Sequence, residues 1–176
     1  RPPLLTELAA TVTPPAYTDQ APVVRTFTLP VTTGADPIVA PQGSELVVQH
    51  HDPATDRPAT PRFALEALTA ERLGAGSIEA RLVLAESGAL VVPGEGEDTS
   101  RLTVDIEIMP DNPPSVAFDG RPTATQRQAL NVRYTAEDDF GLATVALELT
   151  LVGRADTTER IELREVTRAE RALVEG

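Results

Sequence analysis

One acidic turn is the part of this sequence in which residue types and spacing come closest to chemistry. Glu137, Asp138 and Asp139 stand in a row and are followed by Phe140 and Gly141. Clustered carboxylates can bind calcium, and two carboxylates that face each other across a cleft can act as acid and base. Neighbouring side chains at a strand end point apart, however, which disfavours catalysis. The favoured interpretation is a structural turn, in which Asp caps its own backbone and Gly141 supplies a positive φ, and a metal site is the main alternative.

A second polar pair could complete a metal site with this turn. Asp111 and Asn112 precede two prolines, and in a sandwich the turn after a first hairpin strand can lie near the segment that enters the module. The pattern is similar to cadherin repeats, whose Asp-Asn-x-Pro linkers and Asp-rich turns share calcium between domains. That resemblance implies a calcium-binding module with an acidic inter-domain site formed by Asp111, Asn112, Asp138 and Asp139.

No other motif predicts catalysis or a cofactor. His50 and His51 are the two histidines, and we expect them to be exposed loop residues. If they lay on a strand, their side chains would point to opposite faces, so one metal ion could not easily take both. The chain has no cysteine, and its serines lack the Gly-x-Ser-x-Gly context of a nucleophile elbow. The sequence therefore predicts a non-enzymatic protein, with calcium as the one ion it could bind.

Composition excludes some classes of partner. The 176 residues carry a net charge of −12, and all 15 basic residues are arginine. This charge argues against binding to nucleic acid or to an anionic lipid surface, both of which attract cationic proteins. No apolar run approaches the length of a membrane span. The chain starts with Arg-Pro-Pro, so we expect it to come from a longer protein and any membrane contact to be made by other parts of that protein.

Short apolar stretches with period-2 alternation predict an all-β chain. Such alternation buries one face of a strand and exposes the other, as in antiparallel sheets packed into a sandwich. It is clear in residues 77–84, 101–109, 129–134 and 143–151, and further strands are predicted at 7–13, 23–31, 44–50, 61–68, 88–92, 114–118 and 158–166.

The strands are predicted to form two consecutive immunoglobulin-like β-sandwich modules. The first covers residues 1–110, a typical size for such a sandwich. Residues 111–114 form a Pro-rich linker, because two prolines end a strand ladder and stiffen the chain. The second module, residues 115–176, has few evident strands. Either it continues beyond this sequence, or its open edge is covered by something else.

Several short motifs resemble an uncharacterised family of large membrane-anchored proteins, mainly from alphaproteobacteria, that contain a domain of unknown function. The matching stretches are Pro14-Pro15-Ala16-Tyr17-Thr18, Pro41-Gln42-Gly43-Ser44, Asp111-Asn112-Pro113-Pro114 and Asp138-Asp139-Phe140-Gly141-Leu142. The resemblance implies immunoglobulin-like extracytoplasmic modules in the periplasm, tethered to the inner membrane by other parts of the parent chain. It brings no catalytic residues.

Together these observations predict a spacer or protein-interaction module in an envelope-associated membrane protein. Its partner would be another protein of the cell envelope. If it binds one, strand addition at the edge of the shorter second module is the expected route.

Overall fold

The computed structural model describes residues 5–31, 34–94, 99–126, 129–142, 144–165 and 173–175. In these ranges every regular element is a β-strand except one short 3-10 turn, Ala16–Thr18. The prediction of an all-β chain is confirmed. The chain divides into two compact units, Arg1–Pro110 and Asp111–Gly176. The predicted linker, residues 111–114, therefore counts with the second unit.

The first unit is built from two five-stranded sheets. Its described strands are β1 (Thr6–Thr13), β2 (Val23–Leu29), β3 (Ile38–Pro41), β4 (Glu45–His51), β5 (Arg62–Phe63), β6 (Glu66–Ala67), β7 (Ala70–Gly74), β8 (Ser77–Val83), β9 (Gly88–Pro93) and β10 (Ser100–Met109). The first sheet has the order β2-β1-β4-β8-β7 and the second has the order β3-β10-β9-β5-β6. The described pairs are antiparallel except that of β10 with β3, which is parallel.

A single apolar core joins the two sheets of this unit face to face. One cluster contains Leu8 and Leu46 of the first sheet together with Leu90, Leu102 and Ile106 of the second. Each of these side chains is at most 1% exposed. Alternate residues of each strand enter this core, as the period-2 pattern predicts. The unit is therefore a β-sandwich, and its immunoglobulin-like topology remains a prediction.

The structure differs from the predicted strands of the first unit in two respects. Residues 61–68, predicted as one strand, form the short hairpin β5–β6, because Ala64 and Leu65 adopt positive φ angles of 47° and 74°. Strands β3 and β7 have no clear alternation in the sequence and were not predicted. By contrast, Gly43 takes the positive φ of 82° expected for a tight turn before β4.

The second unit contains smaller sheets. Its described strands are β11 (Ser115–Phe118), β12 (Thr123–Ala124), β13 (Leu130–Asn131), β14 (Tyr134–Glu137), β15 (Thr144–Leu151), β16 (Arg154–Glu165) and β17 (Leu173–Glu175). They form a three-stranded sheet, β11-β14-β17, and the two-stranded sheets β12-β13 and β15-β16.

The described core of the second unit is small. It consists of Tyr134, Ala136, Leu142 and Val145. The alternation of residues 129–134 puts Leu130 on the same face as Tyr134 and predicts both as buried, but Leu130 lies in a separate two-residue strand and is exposed. The apolar side chains of this unit are thus only partly covered within the described residues.

Candidate functional site

The acidic segment forms the turn that leads from β14 towards β15. The backbone N–H of Phe140 donates a hydrogen bond of 3.0 Å to the Oδ2 atom of Asp138. Gly141 follows with a φ of 101°, a conformation that favours glycine. The predicted structural turn is confirmed in both respects. One oxygen of Asp138 is therefore engaged in holding the local backbone.

Asp139 connects the same turn to the start of the second unit. Its Oδ2 atom accepts two hydrogen bonds from Asn112, one of 3.0 Å from the backbone N–H and one of 2.7 Å from the side-chain Nδ2. This contact confirms the predicted proximity of these two residues, which lie 27 positions apart in the sequence. The two Asp side chains are directed to different partners, as expected for neighbours at a strand end.

The predicted metal ligands do not assemble into a preformed cluster. Among the described residues no group of three or more His, Cys, Asp or Glu side chains is close enough to hold a metal ion. Asn112 turns its amide nitrogen, a donor, towards Asp139. Calcium binds oxygen ligands, so Asn112 would have to turn its amide oxygen towards the ion instead. Calcium binding at Asp111, Asn112, Asp138 and Asp139 stays a prediction.

The two histidines lie on strand β4 and face opposite sides of the first sheet. His51 is exposed and contacts the Ser77 hydroxyl on β8, with 2.8 Å between His51 Nδ1 and Ser77 Oγ. The expected loop location is therefore wrong for both histidines, and the expected exposure is wrong for His50, which is 1% exposed. The sequence held a signal for this, because His50 continues the alternation of Leu46 and Val48, both buried.

The hydrogen bonding of His50 defines its tautomer. His50 Nδ1 lies 2.9 Å from the carbonyl oxygen of Ala59, which can only accept, so Nδ1 carries the proton. The Nε2 atom is then unprotonated and carries a lone pair. It is buried, and within the described residues it has no hydrogen-bond partner. Burial lowers the pKa of His50, because the imidazolium form would lose its hydration.

An ion pair adjoins this histidine. Asp52 Oδ2 accepts a hydrogen bond of 2.9 Å from Arg101 Nη1, and Oδ1 accepts one of 3.0 Å from the backbone N–H of Ala54. Burial alone would raise the pKa of Asp52, but the hydrogen bonds from Arg101 and Ala54 and the charge of Arg101 outweigh it and lower the pKa. Sequence reasoning missed this cluster, because Asp52 and Arg101 are separated by 49 positions.

A cleft of about 220 Å³, lined by both polar and apolar side chains, lies beside His51. Glu7, His51 and Ser77 occupy facing positions on β1, β4 and β8, and all three line the cleft. Serine activation needs a base held in a shielded site with donors for the developing oxyanion. His51 instead stands exposed on a sheet face. Glu7, His51 and Ser77 are therefore best described as part of the outer surface of the sandwich.

The second unit exposes more of its apolar side chains. Phe118 is 60% exposed and Val152 is 104% exposed. Five further exposed apolar residues of the unit are Val116, Leu130, Leu151, Ile161 and Leu163. They lie on or beside the strands of the small sheets and do not belong to the four-residue cluster that contains Tyr134.

The chain belongs to a family described as a domain of unknown function, DUF4175, whose profile matches residues 4–172. Membership of an uncharacterised family, predicted from the short motifs, is therefore confirmed. No curated protein and no solved structure matches the chain. Within the described residues no helix is long and apolar enough to cross a membrane.

Proposed function

We propose that this chain is a non-enzymatic spacer or protein-interaction module in the extracytoplasmic region of a larger, membrane-tethered protein of the cell envelope. The observation that supports an interaction role is the apolar surface of the second unit. Phe118 and Leu151 are 60% and 57% exposed, and they lie on two different sheets of that unit. Exposed apolar groups that recur on one small unit favour contact with another protein.

The sheets of the second unit also favour strand addition. In the two-stranded sheet β15–β16, each strand has one partner among the described residues, so each offers a second edge. An unpaired edge presents backbone N–H and C=O groups that an extended segment of a partner can satisfy. The first unit has the larger apolar core, which is shared by two sheets, and this suits a spacer.

The proposed partner is a protein rather than a nucleic acid. A net charge of −12 would repel phosphates, and the salt-dependent attraction that drives nucleic-acid binding requires the opposite charge. The location outside the cytoplasm rests on the family resemblance of the short motifs. A reporter enzyme that is active only in the periplasm, fused to the parent protein after residue 176, tests it: an inactive fusion would contradict this location.

Site-specific photo-cross-linking tests the interaction role. A photoreactive residue is placed at Phe118 or Leu151 in the parent protein within its native cells. The matched controls are Val24 and Val83 of the first unit, which are 59% and 65% exposed. We expect discrete protein adducts from the two second-unit positions and few from the controls. Equal labelling at all four positions, or none, would contradict an interaction surface on the second unit.

A calcium-binding module is the second candidate function. The observation that favours it is the contact between Asn112 and Asp139, which brings two of the four predicted ligands together. Calcium that binds the folded unit would raise its melting temperature, by an amount set by its concentration relative to Kd. Melting temperatures are compared in about 5 mM calcium and in chelator. This calcium concentration is roughly 5 to 50 times the Kd of a weak site. A shift that Asp139→Asn abolishes supports the site, and an unchanged midpoint contradicts it.

A further inference from the structure

Strand β16 offers the longest open edge in the second unit. It runs from Arg154 to Glu165 and pairs along one side with β15. The described residues provide no strand for its other side. Because β16 is the longer strand of the β15–β16 hairpin, a partner strand could align with it over many residues. The pattern of side chains on β16 decides which partner fits.

The two faces of β16 differ in chemistry. Arg160 faces Glu148 of β15, with 3.4 Å between Arg160 Nη1 and Glu148 Oε1, and Glu162 lies on the same face opposite Ala146. Ile161 points to the other face, opposite Leu147. An added strand must therefore offer an apolar side chain to Ile161 and complementary charges to Arg160 and Glu162.

We propose that a second copy of this chain adds to β16, antiparallel, about a two-fold axis through Ile161. The proposal rests on the interaction role proposed above and names its partner. In this arrangement Ile161 meets Ile161 of the other copy on the face that Ile161 shares with Leu147. On the polar face Arg160 of each copy stands opposite Glu162 of the other, so symmetry creates two such pairs.

Charge disfavours the three nearby registers that are centred on a charged residue. A two-fold axis perpendicular to the sheet keeps each face on the same side and sets the residue at the axis opposite itself. Centring the pair on Glu159, Arg160 or Glu162 would therefore place like charges directly opposite each other, which is destabilising. Centring it on Ile161 places an apolar residue at the axis and opposite charges beside it. Within this run of four residues it is the centre that avoids a like-charge contact.

The distribution of charge along the chain is compatible with contact at this unit. Residues 111–176 contain 12 acidic residues and 8 arginines, whereas residues 1–110 contain 15 acidic residues and 7 arginines. Most of the surplus negative charge thus lies in the first unit, and an interface on β16 uses the more balanced part of the chain. A single added strand makes a small interface, so we expect weak association with a Kd on the order of 100 µM.

Charge reversal in sedimentation experiments tests the register. Arg160→Glu places like charges opposite each other and should raise the dimer Kd at least about tenfold. The double variant Arg160→Glu/Glu162→Arg restores opposite charges and should return the Kd to within about threefold of wild type. Arg81→Glu makes the same change of charge on the first unit and serves as the matched control. Circular dichroism confirms that each variant is folded.

Cysteine cross-linking gives an independent measurement, because the chain contains no cysteine of its own. Ile161→Cys sets two thiols opposite each other at the axis, within reach of a disulfide. Leu147→Cys lies on the same face but on β15, the strand farther from the proposed two-fold axis. Under mild oxidation we expect Ile161→Cys to give covalent dimers several times faster than Leu147→Cys.

The outcomes separate this proposal from the general interaction role. A chain that stays monomeric at concentrations several-fold above the expected Kd overturns the second copy as partner, and so does a dimer that ignores both charge reversal and its rescue. Photo-adducts with other proteins at Phe118 and Leu151, together with a monomeric chain, overturn the second copy but leave the interaction role standing. No adducts and no dimer overturn both.

Discussion

The buried imidazole of His50 makes the stability of the first unit depend on pH. His50 is 1% exposed, donates through Nδ1 to Ala59, and leaves Nε2 without an acceptor among the described residues. A proton on Nε2 would create a buried N–H and a buried charge at the same time, and both are costly without a partner. The charged groups that act on His50 are Asp52, Arg101 and His51.

The sign of the effect follows from the lowered pKa of His50. In the unfolded chain His50 takes up a proton near its ordinary pKa of 6.5, whereas in the folded unit it does so only at lower pH. Between these two values the unfolded state binds more protons, so the free energy of unfolding falls by up to about 1.4 kcal/mol per pH unit. The loss begins below about pH 6.5 and ends at the lowered pKa.

The ion pair of Asp52 acts in a separate, more acidic window. The pKa of Asp52 is lowered from its ordinary value of 3.8 in the folded unit. Its contribution to stability is therefore fully present above that value and is lost as pH falls through the lowered pKa. The stability of the first unit between pH 7.5 and 5 thus reports on His50 and hardly on Asp52.

A matched pair of variants isolates the effect. His50→Asn keeps a side-chain N–H near the position of Nδ1, so Ala59 can still be paired, but it does not titrate. It leaves a cavity and should lower stability at pH 7.5 by roughly 1–2 kcal/mol. Its stability should then change little between pH 7.5 and 5. His51→Asn changes the exposed neighbour in the same way and should keep the wild-type dependence on pH.

Amide hydrogen exchange measured by NMR reports on the first unit alone. The backbone amides of Leu46 and Val48 lie on the buried strand β4, so their slowest exchange follows the global opening of that unit. The imidazole signals of the two histidines, followed in the same titration, give their protonation directly. If His50→Asn lost stability with acid as steeply as wild type, or if His50 took up its proton at or above pH 6.5, the reasoning would be refuted.

Three further predictions test packing, the acidic turn and a close backbone contact. Leu46→Ala removes a fully buried side chain and should destabilise the first unit by roughly 2–5 kcal/mol in urea unfolding. Asp139→Ala leaves the two donors of Asn112 unpaired and should lower the stability of the second unit by about 1 kcal/mol, with a lower melting temperature. Gly76→Ala should lower the free energy of unfolding by more than about 1 kcal/mol. The φ of Gly76 is 68°, and a Cβ atom there would lie 2.5 Å from the carbonyl oxygen of Asp52. A melting temperature equal to wild type would contradict this.

The strands of the first unit were predictable where one face of a strand is buried and the other is exposed to solvent. Leu102, Val104 and Ile106 alternate with polar residues and all enter the core. Strand β3 was missed because it has only four residues, and Ala40 and Pro41 are buried in succession, which leaves no alternation long enough to recognise. Its pairing with β10 is parallel, so no hairpin turn marks it in the sequence.

The same alternation was less informative in the second unit. Val145 and Leu151 belong to one apolar row on β15, yet Val145 is buried and Leu151 is exposed. Alternation tells which residues share a face, but not whether a second layer covers that face. Only the part of the row near Tyr134 has such a layer in the described residues. Apolar side chains such as Leu151, which no second layer buries within the described residues, are also the observation that supports the proposed interaction role.

The acidic turn illustrates why residue types alone do not decide between a calcium site and a cap. Asp and Asn are suitable for both tasks, because each offers an oxygen to a cation and Asn also offers a donor to a carboxylate. The sequence could predict that Asn112 and Asp139 meet, but not how the Asn112 amide is turned. In the structure its Nδ2 atom donates to Asp139. The hydrogen bond and the cation therefore compete for the same side chains. Calcium would stabilise the second unit only if its coordination contributed more free energy than the hydrogen bond that it breaks.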